Sequence, residues 1–215
     1  MLIWKTFNSD PMIYFVIVGH KAITTGDFKL DDIAGGAGRL DILVRCVNSA
    51  FFLSHDIRKD VELFLVMQGG ENAPKTVRFS GSEIRYLNPD ERSTSSLIRN
   101  ALMKKIPEGE EVKSSPGVYV SKMSFSDVVS KLDEVGDIVY LREDGTDVFE
   151  SDIPENPIFI LSDNRDLSEE EENIIFEKSP NTIGIGPHSL HADHCMIIVH
   201  NAMDRKRASN LQNDL

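Results

Sequence analysis

Asn181–Asp204, NTIGIGPHSLHADHCMIIVHNAMD, is the stretch on which the fold turns. Its short apolar run, Thr182–Ile185, reads as a strand. Gly186 and Pro187 read as a loop. Ala192–Met203 reads as a helix, with Cys195, Ile198, Val199 and Ala202 spaced by three and four. A strand whose C-terminal end opens into a loop ahead of a helix is the usual ligand-binding place of an open α/β sheet. The stretch is therefore expected to line the site.

Outward from it, the chain alternates. Met12–Val18, MIYFVIV, is a continuous apolar run rich in β-branched and aromatic residues, which predicts a central strand buried on both faces. Val61–Met67 reads as a second buried strand. Thr76–Phe79 reads as a third, after a Gly-Gly-Glu-Asn-Ala-Pro turn, and Asp137–Leu141 and Ile158–Leu161 as two more. Arg39–His55 has helical periodicity through Leu40, Leu43, Val44, Val47, Ala50 and Phe51. Ser93–Ile106 reads as a helix capped by Ser93, Thr94 or Ser95 and ended by Pro107, with Lys104 and Lys105 near its negative end. Phe125–Leu132 follows a Ser124 cap. Ser168–Lys178 opens with a capping box, Ser168 with Glu171, and four glutamates in its first turn. Glu108–Gly117 is polar and is expected to be a surface excursion. Strands alternating with helices predict an α/β fold, a mostly parallel sheet covered by helices on both faces.

The 215 residues suit one large domain, or one domain with an appendage. Met1–Pro11 reads as a leader without the charged and apolar regions of a signal peptide. The apolar runs are too short to span a bilayer. Cys46 and Cys195 lie in apolar helical patterns and read as buried thiols of a reducing cytosol rather than a disulfide. The net charge of −12 weighs against a nucleic-acid partner, but it is unevenly spread. Residues 1–107 carry 14 Lys/Arg and 12 Asp/Glu, and residues 108–215 carry 9 and 23. A polyanion must therefore sit on the N-terminal half.

Three constellations compete for the chemistry. The loop GDFKLDDIAGGAGR is rich in glycine but has neither a Gly-Lys-Ser/Thr ending nor GxGxxG after a strand, so it reads as a flexible entry to the helix at Arg39. His188, His191, His194 and Cys195 offer nitrogen and sulfur at a density that suits zinc. The sequence has no HExxH, no CxxC and no second cluster to complete such a site. Arg78, Arg85, Arg92 and Arg99 recur every seven residues, and Arg39 and Arg45 mark a polar stripe beside an apolar one. They read either as solvated helix faces or as a surface for RNA phosphates.

Two long phrases decide between them. GGAGRLDILVRCVNSAFFLSHDIRKDVELFLV (Gly35–Val66) and RYLNPDERSTSSLIRNAL (Arg85–Leu102) resemble the archaeal tRNA pseudouridine-54 N1-methyltransferase family of the SPOUT superfamily. DIVYLREDG, FILSDNRDLSEEE and TIGIGPHSLHADHCMIIVHNAMDR are similar to it in register, so the resemblance covers about residues 12–207. It implies a single domain over 12–207, a deep C-terminal trefoil knot over about 137–207, and a tail over 208–215. It also implies a cytoplasmic homodimer that uses S-adenosyl-L-methionine and tRNA, with no metal and no membrane. The cofactor site maps onto Leu141, onto Ser162, and onto Ile185, Gly186, Pro187, His188, Ser189 and Leu190 with Cys195. The family usually has a glycine where Ser162 stands.

The implied chemistry is in-line transfer of a methyl group to N1 of a flipped pseudouridine, driven mostly by holding the two together. N1 must lose its proton, and Asp163 and Asp41 are the candidates to accept it. Arg39, Arg45, Arg85 and Arg92 would hold the RNA. The rivals are the same chemistry on ribosomal RNA, a zinc hydrolase built on the histidines, and a non-catalytic RNA-binding or ligand-sensing module.

Overall fold

The apolar run at the start of the chain becomes the axis of the molecule. In the computed structural model, which describes residues 11–213, it is β1 (Ile13–Ile23), with parallel neighbours on both sides. One neighbour is β2 (Val61–Gly69) and the other β7 (Pro157–Ser162). Both edges of β1 are therefore hydrogen-bonded and both faces are covered. Ile13, Phe15 and Ile17 enter one core, while Tyr14, Val16 and Val18 enter the other. This is why the run reads as continuous rather than alternating.

Among the described residues eight strands form one sheet, in the order β4-β5-β3-β2-β1-β7-β6-β8. β6 (Asp137–Asp147) and β8 (Asn181–Gly184) continue the parallel part, with β6 beside β7 and β8 beyond it. β3 (Lys75–Ser80), β4 (Glu111–Ser115) and β5 (Val118–Ser121) extend the other edge in antiparallel fashion. Much of the expected surface excursion at Glu108–Gly117 is thus β4, turning at Gly117 into β5. Its strands are short and polar on their outer face, so they carry little apolar signal.

Helices cover both faces. α1 (Leu40–Phe51), α2 (Glu91–Leu102) and α5 (Ala192–Asn213) pack on one core, and α3 (Phe125–Leu132) and α4 (Glu169–Phe176) on the other. The capping residues of α3 and α4 are as expected: Ser124 and Ser168 each form a capping box, with Asp127 and Glu171. α2 differs. Asp90, not a serine or threonine, accepts from the Ser93 N–H at 2.7 Å, so the helix starts earlier. It ends at Leu102, leaving Lys104 and Lys105 beyond it. Thr94 is inside, donating to the Asn48 side chain of α1 at 3.1 Å.

α5 runs ten residues past the expected Met203. Its polar second half is tied down by charge: Arg58 donates to Asp204 at 2.6 Å, Lys206 to Asp152 at 2.8 Å, and Arg207 to Asp60. The helical part of the expected tail therefore reaches Asn213, and the leader up to residue 10 lies outside the described residues.

His200 seals α5 against β1 and α1. Its ring lies edge-on to Phe15, its Nε2–H donates to the Ala50 carbonyl at 3.1 Å, and Nδ1 is buried without a partner among the described residues. Burial pushes this imidazole down to about 4. As pH falls below the ordinary value of 6.5, the unfolded chain takes up a proton that the folded chain refuses until about 4. Wild-type stability should drop over that window by an extra amount on the order of 3 kcal/mol relative to His200→Gln, measured by urea unfolding. Parallel pH profiles for the two proteins would contradict this.

Candidate active site

Parallel strands end together, so their C-terminal loops converge. Here the loops after β7 and β8, the second half of β6, and the starts of α1 and α5 enclose a cleft of about 1040 Å³. It is the crevice outside the strand ends expected for an open sheet of this kind.

Each wall has a local cause. β6 leaves its register with β8 after Leu141 and regains it at Thr146, so residues 142–145 bulge toward the cleft. Gly145 makes this possible, because a Cβ there would lie 2.4 Å from the Ile183 carbonyl carbon. Leu141, Arg142, Glu143 and Asp144 line this wall. β7 ends in register with Val18 at Ser162, and the next residue, Asp163, donates its N–H back to the Val18 carbonyl at 2.9 Å. Ser162 through Leu167 form the second wall. The third is Ile185, Gly186, His188, Ser189, Leu190 and His191, with Ala192 and Cys195 from α5. Gly186 has φ of 139°, which disfavours any side chain, although a Cβ there would meet nothing within 4 Å.

The fourth wall is electrostatic. Arg39 is not the first helical residue of α1 but a left-handed residue, φ 67°, just before it. Its guanidinium donates twice to Asp41, at 3.0 and 3.1 Å, and Arg45 donates to the same carboxylate at 3.0 Å. Arg45 also lies 3.9 Å from Asp193. Burial alone would raise the Asp41 carboxyl, but the hydrogen bonds from Arg39 and Arg45 outweigh it and hold the group below the usual carboxylate range. Two cations on the cleft are thus fixed by one anion behind them.

Of the residues expected at the site, the cleft brings together Arg39, Arg45, Leu141, Ser162, Asp163, Ile185, Gly186, His188, Ser189, Leu190 and Cys195. Asp41, a candidate proton acceptor, is buried behind Arg39 and Arg45 and does not line it, and Pro187 is exposed and does not line it either. Neither do Arg85 and Arg92, which are exposed on the α2 side; Arg92 pairs with Asp31 at 2.8 Å. The seven-residue spacing of arginines is not a helix face. Arg78 is on β3, buried between Glu62 at 2.8 Å and Glu111 at 2.7 Å with its guanidinium over Tyr119. It belongs to the sheet.

The histidine constellation divides. The rings of His191 and His194 stack at 5.4 Å, and among the described residues no three His, Cys, Asp or Glu converge as a metal set would. Burial pushes the Cys195 thiol up to about 11, which leaves it a protonated wall residue near neutrality.

Sequence reasoning missed Arg142, whose guanidinium lies over the Tyr140 and Phe176 rings and donates to Asp144 and Glu172. It also missed the loop Asn164–Leu167 as cleft wall. The available signal was the run of polar residues straight after β7 in FILSDNRD.

The sequence profile of a family described as "Putative SAM-dependent RNA methyltransferase" matches residues 12–208. A tRNA (pseudouridine(54)-N(1))-methyltransferase of Haloferax volcanii is 50% identical over 199 residues, covering 90% of this chain and 96% of that one. Enzymes of the same name from Methanococcoides burtonii and Methanocella arvoryzae are 48% and 46% identical over 200 and 192 residues, each covered to 98%. Among solved structures, Archaeoglobus fulgidus Nep1 bound to S-adenosylhomocysteine superposes with a TM-score of 0.60 at 14% identity, covering 93% of this chain and 99% of that one. At that identity the likeness speaks for the fold.

Gly186→Val would cost roughly 1–3 kcal/mol at φ 139°, and with nothing packed against its Cβ the loop should shift to another backbone conformation rather than hold that strain. The shift falls beside Ile185, which is only partly buried against the core, so little packing is lost. Calorimetry with S-adenosylmethionine should therefore show about tenfold or greater loss of affinity with little change in the melting temperature. Unchanged affinity with a lowered melting temperature would contradict a ligand-binding role for this loop.

Proposed function

The chain belongs to the SAM-dependent RNA methyltransferase family, and on that premise we infer that it transfers the methyl group of S-adenosylmethionine to N1 of pseudouridine 54 in tRNA. The observation that carries this is identity near one half to enzymes of that name along nearly the whole chain, together with a cleft at the C-terminal ends of the parallel strands.

The residues fit the cofactor. The cleft is of nucleotide size. Leu141, Leu161, Ile185 and Leu190 offer apolar contact for a flat base, and Glu143, Asp144, Asp163, Asp166 and Glu172 outnumber Arg142 and Arg165 on the walls away from α1, which leaves that side acidic and suited to a cationic ligand. Ser162, where the family usually has glycine, narrows the second wall by one hydroxymethyl group. Bound S-adenosylmethionine supplies a methyl group activated by its sulfonium.

The chain's own residues then position and stabilise. Loops 142–145, 162–167 and 185–191 hold the cofactor against the wall formed by Arg39 and Arg45. These guanidinium groups favour the negative ring that appears as N1 gives up its proton. Asp41 holds both of them in place. Asp163, the other carboxylate considered for the proton, takes N–H donors from His20 and Arg165 on both of its oxygens. Asp41 therefore serves as anchor of the arginine pair and Asp163 as a fixture of the second wall, with either able to take the proton only by giving up a donor. The exposed Arg85 and Arg92, with Tyr86 between them, extend the RNA surface away from the cleft on the less acidic half of the chain.

The remaining parts of the proposal follow the family. Residues 12–207 form one domain whose last third, from about 137, is a trefoil knot. In support, β8 is gripped by β6 twice, at Tyr140–Leu141 and at Thr146–Asp147. Val148 donates to the Gly184 carbonyl, and α5 is tied by Lys206 to the Asp152–Ile153 loop. The exposed apolar Leu190 and Ile197 at the head of α5 suit a second copy of the chain in a homodimer. Work on tRNA places the enzyme in the cytoplasm. Among the described residues no helix is long and apolar enough to cross a membrane. Methyl transfer by this route needs no metal.

A transcript carrying pseudouridine 54, incubated with protein and S-adenosylmethionine in the presence of chelator, should gain one methyl group at N1, read by nucleoside mass spectrometry. A transcript with uridine there should gain none. Arg39→Ala should keep cofactor binding while weakening tRNA binding and flattening its salt dependence by about one unit of slope. No methylation, or methylation only of ribosomal RNA, would overturn the assignment.

A further inference from the structure

His20 lies just past the residues of β1 that pair with β7. Its main-chain N–H donates to Asp163 Oδ2 at 2.8 Å. Its ring Nδ1 lies 3.0 Å from Asp163 Oδ1, and its ring Nε2 lies 3.2 Å from Glu171 Oε2. Asp163 is the first residue after β7, and Glu171 is in the first turn of α4. One ring thus touches both ends of the connection from 163 to 168, whose middle residues, Asn164 to Leu167, line the cleft.

The hydrogen bonding fixes the state of that ring. An ionised carboxylate only accepts, so each ring nitrogen must carry a hydrogen to be satisfied. A neutral imidazole has one. It would turn a lone pair toward a carboxylate oxygen about 3 Å away, at one end of the loop or the other. The partners are themselves held: Glu171 also accepts from Gln68 Nε2 at 2.8 Å and from the Ser168 N–H and hydroxyl, and Asp163 accepts from the Arg165 N–H. Neither carboxylate can swing away to relieve a lost proton without breaking another bond.

We propose that His20 is a positioning residue whose imidazolium fastens both ends of the 163–168 loop to the end of β1, and that this wall of the cleft loosens when the ring gives up its proton. The proposal rests on the assignment of the cleft to S-adenosylmethionine. The charged groups acting on the ring are Asp163 at the end of β7 and Glu171 on α4. β2 contributes the uncharged Gln68, and Arg39, just before α1, acts electrostatically on Asp163. The hydrogen bond to Asp163 contributes most to raising the His20 value above 6.5, with burial opposing it and Glu171 adding to it. A proton held more tightly in the folded chain stabilises it fully below 6.5, and this contribution is lost as pH rises through the raised value. Cofactor affinity should follow the same course.

The test is calorimetry of S-adenosylmethionine binding from about pH 6 to 9, with the His20 ring followed by its nitrogen chemical shifts in the same protein. Wild-type affinity should fall about tenfold in step with the His20 titration. His20→Gln should bind weakly at pH 6, by a similar factor, and show no such step. The histidines of the third wall remain in that variant, so a step that they cause would persist there undiminished and would not be His20's. Glu171→Gln keeps an acceptor but removes one charge, and should move the midpoint to lower pH. A ring found neutral at pH 6, an affinity step retained in His20→Gln, or a midpoint unmoved in Glu171→Gln overturns the proposal. Should His20→Gln fail to fold, the ring shifts and Glu171→Gln decide alone. Should the wild type bind no cofactor at any pH, the functional assignment fails instead. The fastening is then judged by amide protection at residues 164–167, taken relative to the intrinsic exchange rate at each pH, which must fall as His20 loses its proton.

Discussion

A strand with parallel partners on both edges and helices on both faces constrains everything around it, and β1 is that strand. Parallel neighbours cannot be reached by a tight turn, so the chain must cross over a face each time it adds one. The crossovers supply the helices, and the helices need two apolar cores, which the alternate residues of β1 divide between them. Because the parallel strands point the same way, their outgoing loops gather at one edge. The cleft is the consequence of that gathering, and its walls are the ends of β6, β7 and β8 closed off by α1 and α5.

Charge is handled locally in a chain whose total is −12. The cleft mixes signs in an ordered way. Arg39 and Arg45 stand on one wall, backed by Asp41, and the others carry Glu143, Asp144, Asp166 and Glu172 together with Arg165 and with Arg142, which is paired to Asp144 and Glu172. A cleft that carries both signs can take a cationic cofactor and an anionic RNA together. At physiological salt the field of the distant acidic residues is screened beyond about 8 Å, so the near arrangement decides what binds. The same economy appears away from the site, where Arg78 between Glu62 and Glu111 ties three strands of the antiparallel edge.

The sequence carried the apolar strands and the capping boxes well, because each has a strong local cause. MIYFVIV admits only a strand buried on both faces, and Ser168 with Glu171 admits only a helix start. The hairpin of β4 and β5 was hidden because its apolar face is short and its outer face polar. The arginine stripe was misread because a spacing of seven has no meaning when the chain passes from strand to loop to helix between Arg78 and Arg99. The cofactor loops were legible through family phrases, since a loop's shape leaves almost no periodic trace. The contact of His20 with Asp163 and Glu171 was not legible at all: its members are more than 140 residues apart and nothing in their neighbours announces them.

Amide hydrogen exchange with and without S-adenosylhomocysteine tests the central claim most directly, because it reports where the cofactor sits without depending on turnover. The account predicts slowed exchange confined to residues 141–146, 162–168 and 185–191, on the three loops at the parallel edge. Slowed exchange centred instead on the antiparallel edge around β4 and β5, or on the 148–153 loop beside α5, would contradict it.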